Sequence, residues 1–317
     1  IVEKGLDILL VHSNEADFAN VRYLSDFWPL FEVAGVVVAP KGEAMLLVGP
    51  ESEVFAKDRS KIKKIKKLLE YRECAEPNYP GLELDTFKDV FLEALEGKTP
   101  KKIGIAGYAS CPLPIYDALK KSFPDAQIIK ADDVIFELRV IKSENEIACL
   151  KEAMRITRIT MDEVIKNIKP GMTELQVVGI ALGTMYANGA EYEGLPQYVL
   201  SGESSGHAIS RASHRILKKG DLVQLNLSAR VSGYSPSIGC PVYLGKMPAE
   251  MRKLIEFGLE AHHKTIEFMK AGIPAKEVVL KYEEYVEKRG FKKYMLYGPC
   301  HGLGMIEVER PWMEATS

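Results

Sequence analysis

The stretch that decides the fold is Lys169-Pro170-Gly171-Met172-Thr173-Glu174-Leu175, because its pattern returns as Lys270-Ala271-Gly272-Ile273-Pro274-Ala275-Lys276. Each copy follows one helical pattern and precedes another, which ends at Asn188-Gly189 in the first and Arg289-Gly290 in the second. The spacing from Gly171 to Gly189 equals that from Gly272 to Gly290. Glycine at these places suits the left-handed backbone that stops a helix and that a side chain disfavours. After each second glycine comes a strand-like segment, Tyr192 to Leu200 and Tyr294 to Tyr297. A histidine follows, in Gly206-His207-Ala208 and in Cys300-His301-Gly302. Two similar halves are therefore expected to face each other across a pseudo-two-fold axis, with His207 and His301 as mates at the centre.

Upstream of the repeat, Ser143-Glu144-Asn145-Glu146 has the capping-box pattern, in which the hydroxyl satisfies a free backbone N–H and the glutamate reaches back. Ile147, Leu150, Met154, Met161, Val164 and Ile168 then recur at helical spacing, so a long helix opens a second domain. The expected division is 1–137 and 138–317. In the first domain, short apolar runs bounded by turn residues predict strands over 8–11, 35–38, 44–48, 102–105 and 126–129. Helical stretches at 86–95 and 114–121 complete a small mixed-sheet α/β layer. The basic run from Arg59 to Lys67 reads as a solvated helix face rather than a polyanion patch, because the whole chain has a net charge of -2.

A chain of 317 residues, 46% hydrophobic and 27% charged, has the length for about two cored domains. Its charge argues against general nucleic-acid binding, and no apolar run approaches the roughly 20 residues of a membrane helix. Cys74, Cys111, Cys149, Cys240 and Cys300 are odd in number and form no C-x-x-C pair, which favours a reducing cytoplasm over a disulfide framework. The chain begins at Ile1 rather than Met. It ends at Ser317, before strands that would close the second repeat, so a longer protein is expected.

These residues resemble a known family. Arg139-Val140-Ile141-Lys142-Ser143-Glu144-Asn145-Glu146-Ile147 looks like the linker joining the two domains in the M24 family of Xaa-Pro peptidases and creatinase. Asn20-Val21-Arg22-Tyr23-Leu24-Ser25 is similar to a segment of their N-terminal domain. Ser201-Gly202, Lys219-Gly220-Asp221-Leu222-Val223, Gly233-Tyr234 and His301-Gly302-Leu303-Gly304-Met305 resemble landmarks of the second. The resemblance implies an α/β (α+β) protein with a small creatinase-type N-terminal domain followed by a pseudo-two-fold "pita-bread" domain. It also implies a homodimer in which Tyr23 and Trp28 are candidates to reach a neighbouring subunit.

The resemblance carries a chemistry with altered parts. Counting from Gly220-Asp221, the family's two metal-binding aspartates fall on Asn226 and Ser237, which are uncharged, while its metal-binding histidine corresponds to His301. The two glutamates that complete the family's site come from a later hairpin, beyond Ser317. Two divalent ions about 3.5 Å apart repel by roughly 19 kcal/mol at an effective dielectric of about 20, and bridging carboxylates normally offset this. Neutral Asn226 and Ser237 do not, so no metal or other cofactor is expected, with manganese or cobalt as the alternative. Creatinase, the metal-free relative, also has Leu-Asn at the Leu225-Asn226 position, and a histidine before its Gly-Asp strand moves the proton. His207 lies in that segment, although strict counting falls on Ile209.

The implied substrate-binding set is Glu309, Arg310 and Tyr234. Glu309 falls beside the place of a family histidine that is Val308 here, and Arg310 is a candidate for a substrate carboxylate. His214, the pair His262-His263, Cys240 and Cys300 read as ordinary structural or surface residues. Three functions follow. The first is metal-independent, creatinase-like cleavage of a C–N bond in a small polar substrate, with His207 and His301 catalytic. The second is Xaa-Pro dipeptidase or aminopeptidase activity on a dipeptide substrate through an altered metal site. The third is a non-catalytic binding protein.

Overall fold

Every residue of β1 (Ile8–Ser13) is buried, and that run organises the first half of the chain. Successive side chains of a strand point to opposite faces, so an unbroken buried run forms a strand only where both faces are covered. In the computed structural model, which describes residues 1–316, the chain divides into two units, Ile1–Ile141 and Lys142–Ser317. In the first unit β1 pairs antiparallel with β2 (Ala34–Val38), and β2 with β3 (Met45–Val48). Parallel pairings add β4 (Ile65–Lys67) beyond β3, then β5 (Lys102–Ala106) beside β1 and β6 (Gln127–Lys130) beyond it. The mixed sheet runs β4-β3-β2-β1-β5-β6.

Helices cover both faces of this sheet: α1 (Ala19–Ser25), α2 (Glu53–Arg59), α3 (Phe87–Ala94), α4 (Leu113–Ser122) and α5 (Asp132–Val140). Ile8 and Leu10 pack with Phe87, Phe91, Ile115 and Leu119 of α3 and α4. Leu9 and Val11 share the opposite core with Val21, Ala56 and Ile135 of α1, α2 and α5. The basic run is not a helix face. It leaves α2 through a turn and becomes edge strand β4, where Lys64 and Lys66 pair with Glu93, Lys66 also with Asp85, and Lys67 with Glu53. Charged side chains at a sheet edge also discourage pairing with another chain.

In the second unit α6 (Glu144–Asn167) starts at the expected capping box, Ser143 accepting from Glu146 N and Glu146 from Ser143 N. Met161 and Val164 are buried as the spacing predicts, but the packed face runs through Ala153, Ile156, Thr157 and Thr160, and Ile147 is exposed. A second box, Thr173 with Gln176, opens α7 (Glu174–Ala187). The strand segment expected over 192–200 is two pieces, β7 (Tyr192–Glu193) and β8 (Tyr198–Ser201), with Gly194 between them. A Cβ on Gly194 would collide with the Ser228 hydroxyl, so close backbone approach fixes that glycine.

Strand β9 (Leu222–Leu227) lies between β8 and β11 (Ile238–Tyr243), both antiparallel to it, while β10 (Ala229–Arg230) pairs with β7. Val223, Leu225 and Leu227 alternate into the core beneath α6 and α7. The second copy repeats the helix pair as α8 (Ala249–Phe268) and α9 (Ala275–Lys288), and Gly171, Gly189, Gly272 and Gly290 all adopt positive φ. Its strand over 294–297 does not form. A short 3-10 helix, Lys292–Tyr294, ends at the first residue of that stretch and 295–297 are irregular, while the preceding Phe291 stacks on Phe257 of α8 at 4.0 Å. The copy ends in the hairpin of β12 (Cys300–Gly302) and β13 (Glu309–Met313).

Candidate active site

The alternation of β9 sets the site. With Val223, Leu225 and Leu227 turned to the core, Gln224 and Asn226 belong to the other face. Asn226 sits opposite Tyr198 of β8 and Gly239 of β11. Ser237 precedes Gly239 by two residues and so falls on the Asn226 face, one diagonal away. The Asn226 Oδ1 is buried and accepts no hydrogen bond, whereas the Ser237 hydroxyl donates to Glu307 Oε1 at 2.6 Å. Glu307 thus brings a carboxylate to the place where residue 237 has none.

The loop from Gly302 to Glu309 is held against the first repeat by its backbone. Ser235 N donates to Gly304 O at 2.8 Å. Glu309 turns back into its own loop, accepting from Ile306 N at 3.2 Å and from Lys142 Nζ at 3.1 Å, with side chains of the pair only 6% and 13% exposed. A Cβ on Gly304 would meet that carboxylate, so glycine there makes room for it. Tyr234 is likewise committed: its hydroxyl donates to Glu146 Oε1 at 2.8 Å. Burial alone would raise the Glu146 pKa, but the Ser143 backbone and hydroxyl, the Tyr234 hydroxyl and the Lys142 charge outweigh it and hold the carboxyl below its usual range. Glu309 and Tyr234, expected to bind substrate, therefore join the start of α6 to the site wall. Arg310 is exposed at the start of β13.

The two histidines expected as central mates have separate neighbours. The half-buried His301 ring stacks on Trp312, its cross-strand partner, at 5.4 Å and 6°, with Nδ1 2.8 Å from Gly302 O. His207 is exposed after a short 3-10 helix, Gly202–Gly206, with Nδ1 3.4 Å from the Ser210 hydroxyl. Ile209, the competing position, is 87% exposed. The repeat does not extend to these histidines because one lies on a loop and the other on a strand.

Glu174, the first residue of α7 and part of the repeated stretch, anchors the His207 loop. Its carboxylate, 1% exposed, accepts from the backbone N–H and hydroxyl of both Ser201 and Ser213, at 2.6–2.8 Å. Burial alone would raise its pKa, but those donors outweigh it and lower the value. Arg215 extends the network, donating to Ser201 Oγ at 2.6 Å and to both oxygens of Asp221 at 2.6 and 2.9 Å. The Arg215 bond holds the Asp221 carboxyl below its usual range. One buried carboxylate thus ties together the two ends of the loop that carries His207.

With this geometry in place, the chain can be set beside known proteins. Residues 148–316 match the model of metallopeptidase family M24, and residues 1–141 that of the creatinase/prolidase N-terminal domain. An Xaa-Pro dipeptidase of Pyrococcus horikoshii is 30% identical over 309 residues, 98% of this chain and 80% of that relative. One of Pyrococcus furiosus is 29% identical over 92% of this chain and 77% of its own length. The crystal structure of the P. horikoshii OT3 prolidase superimposes with a TM-score of 0.83 at 27% identity, over 100% of this chain and 83% of the other. Fold and relatives define the class as a hydrolase of C–N bonds. The chain belongs to metallopeptidase family M24.

This membership overturns the expectation that no cofactor is needed, because the family is a metallopeptidase family. The creatinase-like, metal-independent reading yields to the peptidase reading for the same reason, its relatives being Xaa-Pro dipeptidases. The donor set described does not fit a two-ion centre. Among the described residues no group of three His, Cys, Asp or Glu stands together as a metal site. An amide at Asn226 and a hydroxyl at Ser237 supply no charge against ion–ion repulsion. No helix of the described residues is long and apolar enough to cross a membrane.

Proposed function

We propose that this chain is a proline-directed peptidase acting on Xaa-Pro dipeptides or the Xaa-Pro ends of short peptides, through a metal site altered at Asn226 and Ser237. The observation that carries the reading is the likeness to the P. horikoshii Xaa-Pro dipeptidase over 98% of the chain, through both domains. The Glu307 carboxylate on Ser237 supports it, returning one negative charge to the altered face. In this reading Glu307 orients polar groups of the substrate, Arg310 meets the terminal carboxylate, and His301 flanks them, held flat by Trp312. Glu309 and Tyr234 act as positioning residues through Lys142 and Glu146.

A cytoplasmic homodimer belongs to the same proposal. Tyr23 and Trp28 are engaged at home, the first donating to Leu138 O and the second to Glu15 O. Phe31, 74% exposed, is the better candidate to reach a neighbour.

The test is release of proline from Xaa-Pro dipeptides by purified protein, with added manganese or cobalt and then with chelator. Turnover that requires the ion and falls at least about tenfold in Glu307→Gln supports the reading. Absence of turnover with every ion and dipeptide would overturn it. The non-catalytic reading, which the neutral Asn226 and Ser237 favour, would then take its place.

A further inference from the structure

Away from this face, three sulfur atoms converge. Cys300 in β12 and Met313 in β13 are direct cross-strand partners, and their sulfurs lie 3.0 Å apart. The Cys300 Sγ is 4.0 Å from the Sδ of Met269, which caps the C-terminus of α8. A strand pair and a helix end, rather than a loop, thus set the three sulfurs. Met269 and Cys300 also line a cavity of about 270 Å³ with His262, two helical turns before Met269 on the same helix. Seven residues, about two helical turns, separate the two side chains, and both reach the same cavity. Phe257, Ala261, Thr265 and Tyr282 complete much of the wall, and no Asp, Glu, Lys or Arg is among its lining residues.

We propose that Cys300, Met269 and Met313 form a binding site for a soft monovalent d10 cation, copper(I) or silver(I), with His262 at its mouth. Thioethers and a thiolate select such ions, whereas manganese, magnesium and calcium prefer oxygen. The wall chemistry agrees. A hard divalent ion would remain charged in a cavity without carboxylates, while a monovalent ion on one thiolate is neutral and loses little on leaving water. On binding, the metal–sulfur bond replaces the Cys300 S–H bond and the proton goes to solvent. Nothing is oxidised or reduced. The cation would stiffen β12 beside His301, whose ring rests on Trp312.

The test is anaerobic titration of the purified protein with copper(I) buffered by bicinchoninate, repeated with silver(I) and followed by stoichiometry and tryptophan fluorescence. The expected result is one tightly held copper(I) per chain with a change in Trp312 emission. That ion should be lost in Cys300→Ser and held about tenfold more weakly in Met269→Leu and Met313→Leu, which preserve volume. Uptake and fluorescence unchanged in Met269→Leu and Cys300→Ser would overturn the site, assigning the copper to other thiols such as exposed Cys74 and leaving the three sulfurs as packing. If Cys300→Ser fails to fold, Met269→Leu still decides, because Met269 is 47% exposed and its loss touches little of the core.

Discussion

A buried histidine of the first unit and a buried carboxylate of the second are accommodated in opposite ways. In the first, His12 is fully buried on β1, neither ring nitrogen completes a hydrogen bond, and burial pushes its pKa down to about 4, the Ser110 backbone opposing only in part. Asp17 in the same unit is raised, chiefly by burial, although the Arg139 charge and the Ser110 hydroxyl oppose this. In the second unit, Glu174, Glu146 and Asp221 have lowered pKa values because donors converge on them. His12 is accommodated by being kept neutral, whereas Glu174 stays charged and acts as a clamp. A charged clamp holds a loop through the donors that converge on it, as Glu174 holds Ser201 and Ser213, while a neutral buried ring such as His12 contributes packing alone.

The largest expected effect breaks a clamp. Glu174→Ala leaves the Ser201 and Ser213 donors inside the fold without their acceptor and should cost about 3 kcal/mol, read as a lower urea midpoint. It should also free the His207 loop, read as faster amide exchange across residues 202–213. A midpoint equal to wild type would show that Glu174 is not a clamp.

Acid should sharpen the contrast. His12 binds a proton readily only when unfolded, so its neutral burial contributes fully above about pH 6.5. As pH falls from about 6.5 to the folded value of about 4, some 3 kcal/mol of stability is lost. The Glu174 contribution has a lower window: it persists above the unfolded carboxyl value and fades as pH falls below it. His12→Phe should flatten the stability profile between pH 6.5 and 4 while leaving the loss at lower pH. An unchanged slope in that variant would assign the acid sensitivity elsewhere.

The smallest effect tests the repeat itself. Thr173→Ala removes the side-chain cap of α7 and should cost about 1 kcal/mol. The equivalent helix α9 begins at Pro274 with no side-chain cap. Equal backbones are thus started by different chemistry, and a cap-free Thr173→Ala protein should still fold and melt cooperatively.

Much of this was legible in the sequence where the cause is local. β1, β2, β3, β5 and β6 are apolar runs bounded by turn residues, the capping box at Ser143 needs only four residues, and the glycines of the repeat report their own backbone. What was missed depends on distant partners. The lysines of β4 look like a free basic face until Glu93 and Asp85 are folded beside them. Ser237 and Glu307 meet across 70 positions, and Lys142 and Glu309 across 167, so neither pairing leaves a periodic trace. Glu174 stood in the deciding stretch itself, but its four donors come from two serines in a later loop. The Tyr294 to Tyr297 segment has the pattern of a strand, yet it follows a 3-10 turn at Lys292–Tyr294 next to Phe291, which stacks on α8, and pairs with no other strand among the described residues.

A metal site altered at Asn226 and Ser237, as proposed for this member of the M24 family, has a reduced capacity for ions. The most direct measurement is metal content by mass spectrometry after incubation with manganese or cobalt and desalting. The expected result is at most one ion per chain, and a higher occupancy and melting temperature in the double variant Asn226→Asp, Ser237→Asp. Two tightly held ions per wild-type chain would contradict it.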